Sequence, residues 1–304
     1  MRKKISLLIT TKNRIDDLRV TLEQLSLMLQ NPQVECLIYD DASTDGTFDY
    51  VKENFPNISL FRNDKSKGLI HNRNFLLNHC SGVYALSLDD DAHFLSENVV
   101  EFIINYFESQ PQCGVIACRI FWGKEPPISL TTKSKSQRVK GFVGCGHVWN
   151  LQAWRDIPNY PEWFIFYGEE EFASYQLFKK GWEVHYVPEL LVHHRVDIKV
   201  RKNDSDYLQR QRRSFRSGWY LYLMFFPLKS IPKKMAYTLW MQIKNKFFKG
   251  DLKASCGVFI AILDVFLNLP KIVKARNRFS KEEFKRYNNL EPTKIYWIPL
   301  KKRE

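Results

Sequence analysis

An α/β fold built on a mostly parallel sheet with flanking helices, followed by a basic helical extension, is what this chain of 304 residues predicts. Over the first hundred residues, short apolar runs alternate with helical stripes, the pattern of βαβ units. Three polar clusters, Thr10-Thr11, Asp40-Asp41 and Asp89-Asp90-Asp91, follow those apolar runs. Open sheets of this type gather ligands beyond the carboxyl ends of their strands, so sequence-distant acids are expected in one crevice. Charge is the third observation: residues 201–304 carry 24 Lys and Arg against 8 Asp and Glu, whereas residues 1–200 carry 22 against 25. One domain over 1–200 and an appendage over 201–304 fit both the length and this asymmetry.

The elements follow in order. Residues 5–9 read as a strand, and 16–29 as a helix with Leu18, Leu22, Leu25 and Leu29 on one stripe, stopped by Asn31-Pro32. Residues 34–39, 58–61 and 83–88 are strands, with helices over 44–54 and 69–79 between them. The strand over 83–88 runs straight into the Asp triplet. A further strand covers 113–121, and the Lys/Ser/Pro-rich stretch 123–140 reads as a flexible loop. Residues 142–151 return to the sheet, 169–180 form a helix closed by Gly181, and 182–194 are extended around Pro188. There is no internal repeat.

In the extension, residues 207–249 and 252–278 are expected to form amphipathic helices, with aromatic and apolar side chains between the basic ones. That mixture suits an anionic membrane surface, or else a solvated basic face over a helical core. No apolar run reaches the ~18 residues needed to cross a bilayer. The N-terminus lacks a cleavage site and reads as a first strand of a cytosolic protein. Cys36, Cys80, Cys113, Cys118, Cys145 and Cys256 contain no CxxC pair, so reduced thiols are expected rather than a zinc site or disulfides.

Three consecutive carboxylates repel one another and are costly to desolvate, and a bound cation resolves the repulsion. Mg²⁺ or Mn²⁺ would take one or two of them, with substrate phosphates and water completing the shell. An exposed acidic turn capping a helix at Ser96 is the plainer reading of the same residues.

Four ordered stretches carry a resemblance: Ser6 to Arg14, Leu37 to Thr47, Gly68 with Arg73-Asn74, and Leu88 to Asp91. Their order and spacing resemble the nucleotide-sugar signatures of glycosyltransferase family 2, over about residues 4–195. The resemblance implies a GT-A fold, an inverting transfer from a nucleoside-diphosphate sugar, and Mn²⁺ or Mg²⁺ bridging the donor diphosphate. On this basis Thr10 and Asp41 contact the nucleoside, Asp90 lies near the ribose, and Asp91 ligates the metal. Asp89 contacts ribose or metal, and Thr11 and Arg14 belong to the same donor-binding set. Arg73 lies near the donor, or pairs with an acid such as Asp64.

Phe164 to Glu171 looks like the family's aromatic-Gly-Glu-Asp motif, whose acid takes the proton of the acceptor hydroxyl. The chain departs from the commoner form, with Glu170 where Asp is usual and Phe172 where a second Asp often follows. Glu170 is the candidate base and Glu169 the second choice; consecutive helical side chains diverge by roughly 100°, so the three glutamates cannot all face the crevice. A His near 193–194 often completes the metal contacts in the family. Strand alternation sends His193 and His194 to opposite faces, so only one serves. Gly144 to His147 resembles a loop near the donor sugar, or marks a bulge. Trp149, Trp154 and Trp163 either stack on sugars or belong to the core.

The expected activity is metal-dependent sugar transfer to a saccharide or lipid-linked acceptor, by resemblance in cell-surface polysaccharide synthesis. The setting is cytoplasmic, peripheral at the inner membrane face, without nucleic acid. A sugar-nucleotidyltransferase needs a glycine-rich basic loop where Thr10 to Arg14 stand, and a dehydrogenase needs GxGxxG after a strand. A membrane- or nucleic-acid-binding adaptor would leave the acidic clusters unexplained.

Overall fold

The computed structural model describes residues 4–196 and 206–299, so the expected 200/201 boundary lies outside the described residues. Strand β1 (Ile5–Thr11) is buried along its whole length, which is why its sequence is largely apolar, with Leu7, Leu8 and Ile9 consecutive, rather than a strict alternation. It pairs in parallel with β2 (Val34–Asp40) on one side and β4 (Tyr84–Asp89) on the other, and β3 (Ser59–Arg62) extends the parallel part beyond β2. From β4 the sheet continues through β8 (Gly146–Asn150), β6 (Cys113–Trp122) and β9 (Glu183–His194) to the edge strand β5 (Ala92–Phe94). Here directions mix: β8 is antiparallel to both neighbours, β6 and β9 are parallel, and β5 and the short β7 (Gln137–Val139) are antiparallel to β9.

The helix expected over 16–29 divides at Leu25, whose backbone (φ −93°, ψ 5°) leaves α1 (Ile15–Gln24) and α2 (Ser26–Leu29) as separate pieces. α3 (Thr47–Asn54) starts only after Gly46, at φ 87°, and α4 (Leu69–His79) is as expected. α5 (Val99–Ser109), α6 (Leu151–Arg155) and α7 (Glu169–Lys180) complete the N-terminal part. The stretch 123–140 is irregular except at its end, where β7 takes up the free side of β9.

Two apolar clusters lie on opposite faces of the sheet, as the period of two along each strand requires. Leu7 and Ile9 of β1 join Leu18, Leu22 and Ile103 on one face, while Leu8 joins Ile70, Trp149 and Trp154 on the other. The second cluster runs on through Phe164, Phe172 and Tyr175 into Phe215, Tyr220, Phe225, Phe279 and Tyr287 of the extension. Each fully buried side chain of this size is worth about 1.5–3 kcal/mol, so the C-terminal helices are part of what seals this face.

Those helices are shorter than the two long ones expected. Pro227 divides the first into α8 (Tyr207–Phe225) and α9 (Ile231–Asn245); after Gly250 the second divides at Asn268 into α10 (Leu252–Leu267) and α11 (Leu269–Lys274), with α12 (Lys281–Asn288) beyond it. α8 and α10 approach closely at Gly257, where a Cβ would stand 2.9 Å from the Leu208 carbonyl oxygen. Between them Asp264 accepts a bidentate pair from Arg212 (2.6 Å to each oxygen) and a third bond from Arg216 (3.1 Å). No helix among the described residues is long and apolar enough to cross a membrane.

Candidate active site

The parallel register places Thr10 beside both Tyr39 and Asp89, and Thr11 beside Asp40, so the polar ends of β1, β2 and β4 meet at one edge of the sheet. Thr10 is buried there. Just beyond β2, the Asp41 carboxylate accepts hydrogen bonds from Ser66 Oγ (2.6 Å), Asn63 Nδ2 (2.8 Å) and the backbone N–H groups of Lys67 (2.8 Å) and Gly68 (3.1 Å). Burial pushes this carboxyl up, but the donors outweigh it and hold Asp41 below the usual carboxylate range.

The Asp triplet splits by direction. Asp90 turns back toward the sheet, accepting from Thr11 Oγ1 at 2.8 Å with Arg14 Nε at 3.3 Å, and burial raises it to about 8 despite the arginine. Asp91 meets Arg14 Nη2 at 2.6 Å through one oxygen and stands 3.0 Å from His194 Nε2 through the other. Asp89 Oδ2 lies 3.9 Å from the same His194 nitrogen. Burial opposes ionisation of Asp91, and its contacts with His194 and Arg14 outweigh that and keep it a carboxylate.

Asp89, Asp91 and His194 thus present ligand atoms within 4.8 Å of one another. Asp91 Oδ1 is buried with the His194 nitrogen 3.0 Å away as its near polar neighbour, so a cation held here would take both as ligands. Two carboxylates and an imidazole fit Mn²⁺ or Mg²⁺, the imidazole favouring Mn²⁺. His193 is not in this group. Its ring lies on the opposite face of β9, with Nε2 2.7 Å from the Gly123 carbonyl and the rings of His93 and Phe121 at 5.2 and 5.6 Å. Of the two histidines left open by the sequence, only His194 reaches the carboxylates.

Arg73, buried in α4, joins this cluster to the second one. Its guanidinium donates to Asp89 (2.8 Å), Glu169 (3.1 Å) and the Gly144 carbonyl (2.9 Å), and stands 3.9 Å from Glu170. Asp64, the alternative partner, is not among these. Gly144 is glycine because a Cβ there would run into the Glu170 carboxylate and would lie 2.7 Å from Arg73. Glu169 is buried; burial and the neighbouring Glu170 raise it, with Arg73 offsetting part. Burial likewise raises Glu170, whose side chain keeps 20% exposure, and Glu171 points into solvent. Trp149 and Trp154 are core residues, and Trp163 packs at the core's edge.

The turn that delivers Glu169 and Glu170 is strained: Ile165 and Tyr167 both hold φ of 70° and Gly168 holds 89°. Non-glycine residues adopt such angles only where their surroundings over-determine them. The surroundings come from the extension. Arg216 of α8 donates to the Phe164 carbonyl (2.7 Å), and Ser217 packs so closely that a Cβ on Gly168 would stand 2.9 Å away. Sequence reasoning missed Arg216 and Asp264 because nothing local marks them; an Asp inside an otherwise apolar helix was the one available signal.

Residues 6–153 match the family model described as glycosyl transferase family 2. These residues, just under half of the chain, thus resemble that family. Among solved structures, the chain resembles GalNAc-T7 with UDP, GalNAc and Mn²⁺ (TM-score 0.56, 17% identity, covering 73% of this chain and 50% of that one). It also resembles the mannosyltransferase PcManGT of Pyrobaculum calidifontis in complex with GDP-Man and Mn²⁺ (0.55, 14%, 95% and 84%). S. aureus TarS is similar at 0.53 and 15% identity, over 72% of this chain and 43% of that one. The chain thus spans half the length of GalNAc-T7 and less of TarS. These likenesses show the fold, a glycosyltransferase α/β fold of the GT-A type. Comparison with curated protein sequences gives no match.

Proposed function

We propose that the chain transfers a sugar, with inversion, from a nucleoside-diphosphate donor to an acceptor hydroxyl in a divalent-metal-dependent reaction. The observation that carries this reading is Arg73, which ties Asp89, beside His194 and Asp91, to the glutamates of α7 within one guanidinium's reach. Two structurally similar enzymes hold a nucleotide or nucleotide sugar together with Mn²⁺, which supports the same donor chemistry here.

In this reading Asp41, Thr10 and Thr11 line the nucleoside side. Asp90 and Arg14 hold the strand end in place, with Asp90 near the ribose. A cation bound by Asp89, Asp91 and His194 would offset the charge developing on the leaving diphosphate. Glu170, the more exposed of the two inner glutamates, takes the proton of the acceptor hydroxyl as that oxygen attacks the anomeric carbon. Glu169 and Arg73 fix its carboxylate in place. Residues 1–200 form the catalytic part and 201–304 an extension that contacts the inner face of a cell membrane. A saccharide or lipid-linked acceptor in cell-surface polysaccharide synthesis belongs to the same reading.

The test is a panel of nucleoside-diphosphate sugars assayed for Mn²⁺-dependent hydrolysis and transfer, with Glu170→Gln beside the parent chain. The variant should lose about 10²-fold or more in turnover while binding the donor as before. Near-normal turnover would remove Glu170 from the mechanism, and no hydrolysis of any donor by the parent chain would remove the reading itself.

A further inference from the structure

α10 is apolar on both sides. Ala254, Gly257, Val258, Ala261 and Val265 are buried against the domain, yet the opposite stripe also reads Leu252, Phe259, Leu263, Phe266 and Leu267, between 48% and 79% exposed. With the exposed Cys256 between Leu252 and Phe259, the stripe recurs every three or four residues along the helix, so it is one continuous face rather than scattered side chains. α9 adds to it. Only Ile231 of its 15 residues is buried, while Trp240 is 54% exposed and packs at 6.3 Å against Phe248, itself 67% exposed in the turn leading to α10. A patch of this extent, of large apolar side chains in water, marks an interaction surface.

Charge identifies what it meets. Between residues 228 and 276 there are ten Lys and Arg against two Asp. Both acids are turned inward: Asp251 caps α10 through the Ala254 N–H and accepts from Tyr207 Oη, and Asp264 is held by Arg212 and Arg216. The face is therefore apolar with a rim of one sign. A second copy of the chain would bring two such rims together against their repulsion, and nucleic acid would leave the phenyl and indole rings without a partner. A bilayer with anionic headgroups takes both, receiving the apolar side chains at the acyl boundary and the lysines at the phosphates.

We infer that the outer face of α9 and α10, centred on Trp240, Phe248, Phe259 and Phe266, seats this protein on an anionic lipid surface without spanning it. This names the surface and lipid class behind the membrane contact proposed above, and it stands apart from the transfer chemistry. The inner side of the same helix carries Asp264, which holds Arg216 and through it the Phe164 carbonyl. The lipid-facing helix is thus two side chains from the turn that delivers the glutamates, which suits an acceptor that arrives on a lipid.

The full chain should float with phosphatidylcholine vesicles containing phosphatidylglycerol at roughly 0.1 M salt, and only weakly with phosphatidylcholine alone or at about 1 M salt. Phe259→Ser with Phe266→Ser should lower binding at least about tenfold, since each ring contributes by burial, while Mn²⁺-dependent donor hydrolysis stays at the parent level. Lys233→Glu with Lys234→Glu should weaken binding to the anionic vesicles alone. The inference fails if the parent chain does not bind anionic vesicles, or if the Phe pair binds as the parent does. It also fails if sedimentation shows a dimer that the Phe substitutions dissolve and no vesicle binding. Hydrolysis is read separately, so a chain that binds lipid but hydrolyses no donor would refute the transferase reading and leave this one standing.

Discussion

At Glu170 the carboxylate is pulled two ways. Burial and the nearby charge of Asp89 raise it above the ordinary glutamate value of 4.5, and the Arg73 guanidinium offsets part of the rise. A base must be ionised to work, so activity is lost as pH falls through the raised value. The acid limb of the kcat profile should therefore lie above the usual carboxylate range, and it should vanish from the residual rate of Glu170→Gln. A limb at the ordinary value would point to a solvated carboxylate elsewhere. Stability moves in the opposite sense, because a carboxyl raised in the folded state costs stability as pH rises above its unfolded value. At this scale the sequence was informative about which residues gather and silent about how they point. The triplet at the end of β4 announced a crevice, but only the packing turns Asp90 inward to Thr11 and aims Asp91 at His194. Alternation along β9 required the two histidines to part, and the carbonyl of Gly123 decided which one left.

Between residues and fold lie the elements that carry them. The loop before β8 lets Arg73 and Glu170 lie directly on the backbone of Gly144. Gly144→Ala should push both away and lower turnover by about 10²-fold, the usual cost of misplacing a catalytic group by about 1 Å. Circular dichroism and donor binding should change little, and a variant with parent turnover would show that the cradle has slack. The parallel strands β1, β2 and β4 were legible because burial on both faces leaves them largely apolar, and α4 and α7 because a glycine precedes each and Gly181 closes α7. β5 and β7 were not, since three residues are too few to show a period and both exist only by pairing with β9. In the extension the break at Gly250 was legible, but those at Pro227 and Asn268 were read through, because the basic and aromatic composition drew the reading toward long amphipathic helices.

For the molecule as a whole, the contact between the extension and the α/β part is concentrated in few atoms. Asp264 neutralises two arginines, one of which fixes the strained turn before α7. Asp264→Ala leaves the buried Arg216 and the partly exposed Arg212 without their counter-ion, and the uncompensated buried charge costs about 3–5 kcal/mol. Thermal unfolding should show that loss as a lower Tm, accompanied by reduced turnover even at temperatures where the variant is fully folded. A Tm close to the parent's would mean the arginines find water. These partners lie 48 to 52 residues apart in the chain, a distance over which no local pattern in a single sequence can link them.

The second apolar cluster has a consequence for how the chain is made. Trp149, Phe164, Phe172 and Tyr175 are synthesised before Phe215, Phe225, Phe279 and Tyr287, which close over them. Until then one side of the sheet has no lid, and the nascent protein must be kept from sticking to its neighbours. A chain stopped near residue 200 would be permanently in that condition, and a larger fraction of it should be recovered from cells as insoluble aggregate than of the chain that includes α8 to α12.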